Sequence, residues 1–146
     1  SRCARIMSLT ATYPYISFHG NAAEMFAYYH SIFGGELEIL TYGDQLDNGA
    51  EFPFPAPREA VAHGKLTGTF NLTGGDDLSD SSGKLNRGDC SFVYEADSVE
   101  EGTRVIEALT GNGGRVTMPF ERAPWGDYYG QCEDTYGMAW HISATA

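Results

Sequence analysis

The chain has 146 residues, 42% of them hydrophobic and 20% charged. That is enough for one domain with a buried core, or for two small modules sharing a sheet. A formal net charge of −11 argues against nucleic acid as a partner, because affinity for a phosphate backbone rests on clustered Lys and Arg.

No run approaches the ~20 apolar residues of a membrane span, so no membrane partner is expected. The segment 1–7 carries two arginines without an apolar stretch behind them, which is not a secretory signal, and Met7 reads as a natural start. Cys3, Cys90 and Cys132 are odd in number and lack CxxC spacing. They read as free thiols in a reducing compartment, and a cytoplasmic protein is expected.

In chain order, residues 13–18 form a short aromatic and β-branched strand ending at Gly20. Asn21 followed by Glu24 matches a capping box and opens a helix running through Phe33, with Met25, Tyr28, Tyr29, Ile32 and Phe33 as its apolar stripe. Gly34-Gly35 stops it, and residues 36–42 alternate as a half-buried strand. Residues 43–59, rich in Gly, Asp, Asn and Pro, read as a long loop in which Phe52 and Phe54 pin a lid or grip a second subunit. Strands follow at 60–66 and 69–73. In the first of them, alternation puts Val61, His63 and Lys65 on the face away from the helix. Residues 74–88 are a polar linker with solvated aspartates, and the one module boundary.

The second half repeats the order of the first. Residues 90–96 form a strand, Ser98 caps a helix striped by Val105, Ile106 and Leu109, and Gly113-Gly114 precedes a strand starting at Arg115. Residues 128–133 and 138–143 make a hairpin about the turn 134–137. Each half therefore reads strand, helix, strand, strand, strand: a duplicated βαβββ unit in an α+β fold, with modules at 10–75 and 88–146.

Tyr15-Ile16-Ser17-Phe18-His19-Gly20-Asn21-Ala22-Ala23-Glu24, Tyr28-Tyr29, Gly34-Gly35, Tyr42-Gly43-Asp44, Val61-Ala62-His63 and the stretch from Trp125-Gly126 to Gly137-Met138-Ala139-Trp140 carry a resemblance. Over residues 10–143 the chain resembles the PhnB-like branch of the vicinal-oxygen-chelate, or glyoxalase/bleomycin-resistance/dioxygenase, superfamily. The resemblance implies two modules curled into a cupped mixed sheet with helices outside, a cavity within the cup, and a homodimer. A methyltransferase activity, often attached to such relatives, is not expected, since no Gly-rich loop follows a strand to open a helix.

Enzymes of this superfamily hold a divalent metal through four side chains, two per module. Carried over, those positions fall at Pro14 or Tyr15, near Asn71, at Cys90 or Ser91, and at His141. Of these only His141 is a strong ligand where about three are needed, so no metal site and no cofactor are expected. His63 and Glu133 are the candidate proton-transfer residues: a neutral imidazole suits that task, and a carboxylate facing an apolar cup can act as a base. The plainer alternatives are a hydrogen-bonded wall histidine and a Glu133 paired with Arg115 or Arg122. Trp125, Tyr128 and His141 are the candidate ligand-binding residues, the aromatics stacking on a planar ligand or closing a lip between modules; Tyr129 can be packing only. Cys132 reads as a buried, inert thiol.

The expected function is a small-molecule binding protein of this superfamily without its usual metal, sequestering or carrying its ligand. The alternative is a lyase, isomerase or dioxygenase-like enzyme on a small substrate, using the His/Glu pair with or without a recruited metal. A third reading makes the cup vestigial and the dimer surface the functional part. Fold alone does not choose among them.

Overall fold

In the computed structural model, residues 11–79, 82, 83, 85 and 90–146 are described. The first half runs β1 (Tyr15–Phe18), α1 (Ala22–Phe33), β2 (Glu36–Thr41), α2 (Tyr42–Asp47), β3 (Val61–Thr67) and β4 (Leu72–Asp76). The second runs β5 (Phe92–Ala96), α3 (Val99–Thr110), β6 (Arg115–Arg122), β7 (Tyr128–Glu133) and β8 (Ala139–Ala144). Each half makes its own four-stranded sheet, ordered β1-β4-β3-β2 and β5-β8-β7-β6, with the first strand parallel to the last and the others antiparallel. The α+β fold of two βαβββ halves is thus present, as two mixed sheets with no ladder between them among the described residues.

Helix α1 buries Met25, Phe26, Tyr29 and Ile32 against the first sheet, a stripe that includes Phe26 in place of the half-buried Phe33. Its start differs from the expected capping box, since the Asn21 side chain makes no cap hydrogen bond. The Ala22 N–H donates instead to Asp76 Oδ1 at 2.9 Å, and the other oxygen of that carboxylate accepts from the Val61 N–H at 2.8 Å. One aspartate therefore ties α1 to β3 by filling an orphan donor at the helix start. It was expected to be solvated in a linker. The reason lies in Gly74 and Gly75, which continue β4: a Cβ at Gly74 would lie 2.5 Å from the Phe18 ring, so the glycine permits close strand approach rather than flexibility.

Two further expectations change. The loop at 43–59 begins with helix α2, where Thr41 Oγ1 accepts from the Asp44 N–H and the Asp44 carboxylate accepts from the Thr41 N–H, each at 3.0 Å. Phe52 and Phe54 pack on Tyr42 of that helix, at 5.1 and 6.2 Å between ring centroids. Val61 is fully buried rather than on the open face with His63, because the pairing of β2 with β3 shifts register between Leu40 and Thr41. Such a bulge reverses the parity of the strand end.

The two halves meet through their helices. Tyr28 of α1 donates to the Leu109 carbonyl of α3 at 2.7 Å, and Arg104 of α3 donates to the Ile32 carbonyl of α1. Beside them Trp140 of β8 packs on Phe33, Phe70 and Phe92, with ring centroids 5.0 to 5.3 Å apart. Both helix-covered faces are consumed in this contact. The opposite face of each sheet is left uncovered.

Candidate functional site

Alternation along the β7–β8 hairpin sorts its side chains without ambiguity. Gly130, Cys132, Trp140 and Ile142 are buried on the α3 side, so Tyr129, Gln131, Glu133, His141 and Ser143 stand on the uncovered face. Cross-strand register extends this face into rows. Val93, His141, Gln131 and Met118 form one, and Glu95, Ser143, Tyr129 and Glu121 form the next.

At the centre, the Tyr129 hydroxyl lies 2.6 Å from His141 Nδ1, and Gln131 Nε2 donates to the same hydroxyl at 2.9 Å. The Tyr129 and His141 rings are nearly parallel, 29° between planes. Trp125 stands over Tyr129 at 6.1 Å between centroids and is 68% exposed. Its position comes from the turn before β7, closed by the Gly126 N–H donating to the Ala123 carbonyl and the Ala123 N–H donating to that of Asp127. Gly126 has φ +103°, a left-handed conformation that suits glycine alone.

Trp125 and His141 therefore share one face of the second sheet. Tyr128 does not join them: it falls on the α3 side and packs on Phe120 at 5.7 Å, while its neighbour Tyr129 takes the place on the uncovered face. The correction is one of strand parity, which moves every side chain to the other face with a single step. Glu133 also lies on that face, with a carboxylate oxygen 3.4 Å from Arg115 Nη2. His63 lies on the uncovered face of the first sheet, exposed and opposite Leu40 of β2. The two proton-transfer candidates thus belong to different sheets of the chain.

Tyr129 and Gln131 carry the hydrogen bonding that the sequence reading missed. The signal was present in Gly130 and Cys132, small or apolar residues flanking Gln131, which mark the buried parity of β7. Cys132 itself is buried, and its thiol is pushed up to about 12 by burial and then by the nearby Asp134 charge. A thiol held so far above neutrality is no nucleophile.

Among the described residues no three His, Cys, Asp or Glu side chains converge as a metal-binding group. The donor set does not fit the superfamily's metal either: Tyr15, Asn71, Ser91 and Cys90 offer no second imidazole or carboxylate, and Nδ1 of His141 is already engaged by Tyr129. A separate cavity of about 430 Å³ lies at the start of α1, lined in part by Asn21, Glu24, Glu59 and Asp76, on other elements than the Tyr129–His141 face.

Two βαβββ halves, each with a mixed sheet covered by helices on one side only, define a glyoxalase-like protein. The chain belongs to the Glyoxalase/Bleomycin resistance protein/Dioxygenase superfamily, whose model matches residues 14–142. It is 30% identical over 140 residues to Protein YjdN of Escherichia coli (strain K12), covering 89% of this chain and 92% of that protein. The structure of protein PA1353 from Pseudomonas aeruginosa is similar with a TM-score of 0.74 at 32% identity, over 93% of this chain and 98% of that one. A protein from Bacillus cereus described as a putative 3-demethylubiquinone-9 3-methyltransferase, PhnB protein, shares the fold with a TM-score of 0.69 at 21% identity, over 93% of this chain and all 100% of its own. The PhnB-like resemblance of the sequence thus has its counterpart in the fold. No helix of the described residues is long and apolar enough to cross a membrane.

Proposed function

We propose that this chain is a small-molecule binding protein whose ligand rests on the uncovered face of the second sheet, over Tyr129, His141, Gln131 and Trp125. The observation that carries this reading is the Tyr129–His141 contact at 2.6 Å beneath an indole that is 68% exposed. A polar pair fixed in an aromatic surround orients a small ligand, and a wall that only packs has no need of it.

The cup is completed by a second copy. Tyr15 on the first sheet and Val93 on the second are 58% and 62% exposed, and Leu40 and Met118 are exposed on the opposite edges of the same sheets, so each sheet presents apolar side chains to solvent in a lone chain. Exposed apolar surface of this kind marks an interface or a ligand site. In a homodimer the first sheet of one copy covers the second sheet of the other, which brings His63 of one sheet towards His141 and Glu133 of the next. Three cysteines, odd in number and without CxxC spacing, favour a reducing, cytoplasmic location.

Sedimentation of the purified chain combined with a thermal-shift screen of small aromatic and oxoacid compounds tests this reading. A dimer whose melting temperature rises with an aromatic compound, and whose rise is lost in His141→Ala and Trp125→Ala, is the expected result. A monomer, or a ligand response untouched by both substitutions, would remove this face from the function.

The second reading is an enzyme in which His63 or Glu133 moves a proton on the bound molecule. It draws on the exposure of His63 and on the place of Glu133 beside the Tyr129–His141 pair. Substrate turnover abolished by His63→Ala with binding retained would favour it.

A further inference from the structure

We infer that Tyr129 and Gln131 orient the His141 imidazole so that it offers its Nε2–H to the uncovered face, and that the site thereby selects an uncharged planar aromatic ligand carrying a carbonyl-type acceptor. This rests on the proposed binding role of the face and names the ligand chemistry for it.

A phenol has one proton to donate and lone pairs that accept. Gln131 Nε2 donates to the Tyr129 oxygen at 2.9 Å, which fills one of its acceptor positions and strengthens the phenol as a donor. The phenol proton then points at His141 Nδ1, 2.6 Å away, continuing the donor chain that Gln131 begins. With Nδ1 accepting, a neutral imidazole carries its proton on Nε2. Turning the imidazole over to exchange its nitrogen side for its carbon side would break the 2.6 Å contact with Tyr129.

His141 therefore presents a fixed donor to the uncovered face. What it donates to is limited by the neighbouring residues. Val93 and Met118 lie in its own cross-strand row and are apolar, whereas Glu95 and Glu121 lie in the adjacent row on one side and Glu133 with Arg115 in the row on the other, three acids to one base, on a chain of net charge −11. An anion is repelled there, and a cationic amine brings donors to a nitrogen that is itself a donor. A neutral carbonyl oxygen matches Nε2–H, and the flat ring bearing it lies against the Trp125 indole. Tyr129 and Gln131 are positioning residues in this scheme, acting through the orientation of His141.

The test has two independent arms. Long-range proton–nitrogen NMR of the ¹⁵N-labelled free protein reads the tautomer directly, and the expected spectrum shows His141 protonated at Nε2. In Tyr129→Phe and in Gln131→Met that preference is weakened. The second arm titrates benzamide, benzoate and benzylamine, which share one ring and differ in the group attached. Benzamide is expected to bind about tenfold more tightly than the other two, the worth of one net hydrogen bond, and Tyr129→Phe is expected to erase that difference. A proton on Nδ1 in the free protein overturns the inference. So does equal affinity for the three compounds, which would leave the binding role of the face standing. Failure of all three to bind while the Nε2 tautomer is seen would sink the ligand-binding reading itself, and the ligand class with it.

Discussion

Tyr29, on the first helix, donates its phenol proton to Asp134 Oδ2 at 2.7 Å, across 105 residues of sequence and from one βαβββ half to the other. Asp134 is 1% exposed; the same Oδ2 also accepts from Trp140 Nε1 at 2.9 Å, and Oδ1 accepts from the backbone N–H groups of Tyr136 and Met138. The same residue therefore shapes the β7–β8 turn and fastens the two halves together. A buried carboxylate is tolerated here because four donors surround it.

Removing that carboxylate strands its donors. Asp134→Ala is expected to cost more than about 3 kcal/mol, since each buried donor left without a partner costs about 1–3 kcal/mol. Tyr29→Phe removes one bond to a charged group and is expected to cost about 1.5–3 kcal/mol. The double variant is expected to lose less than the sum, because the phenol of Tyr29 has no partner left to lose once Asp134 is gone. Urea unfolding of the four proteins measures this. Strict additivity would show that the two residues act separately.

A tight approach of helix to sheet gives a second prediction. A Cβ built at Gly64 of β3 would lie 2.5 Å from the Phe26 ring, which is fully buried. Gly64→Ala is expected to destabilise the protein by about 1–3 kcal/mol through overpacking, and Phe26→Leu in the same chain to recover part of that loss. If Gly64→Ala leaves the urea midpoint unchanged, α1 does not sit this close to the sheet.

Alkaline pH probes Cys132. Its thiol is pushed up to about 12 in the folded protein, by burial first and by Asp134 second. An unfolded thiol ionises from about 8.5, so below that pH its contribution to stability is fully present. As pH rises from there towards 12 the unfolded chain loses this proton and the folded chain keeps it, so stability falls. Cys132→Ala is expected to flatten the fall between about 8.5 and 10, before unfolded tyrosines begin to titrate. Stability curves measured across that window, identical in the two proteins, would contradict the assignment.

Trp125 separates stability from function. With its ring 68% exposed, Trp125→Ala is expected to change stability by less than about 0.5 kcal/mol. The variant should lose the solvent-quenched part of the protein's fluorescence, leaving the emission of buried Trp140. It should also respond less to an aromatic ligand. A large fall in melting temperature would instead make Trp125 a structural residue.

Much of the architecture was legible in local patterns. The duplicated strand and helix order, the Gly-Gly stops and the apolar stripes of α1 and α3 are short-range features, and the sheet order of both halves follows the repeat they define. Asp76 and Asp134 were not legible, because a carboxylate in a turn or an acidic stretch looks the same whether water or backbone N–H groups surround it. Helix α2 was missed because its Gly and Asp content reads as loop, although Thr41 and Asp44 cap it by a purely local pair.

For the site, the sequence by itself determined which residue types the closing hairpin would offer: an indole, tyrosines and one histidine in place of a metal-binding set. It also determined the family, through landmarks spread over the chain. Only the tertiary structure decided that Tyr129 rather than Tyr128 stands on the uncovered face, that Gln131 joins it, and that His63 and Glu133 stand on separate sheets. The physical reason is that strand parity and register are set by what packs beneath the sheet, here α3 and Phe120 under β7, and by helices that join the two halves from within. Those contacts lie far apart in sequence, and no local pattern encodes them.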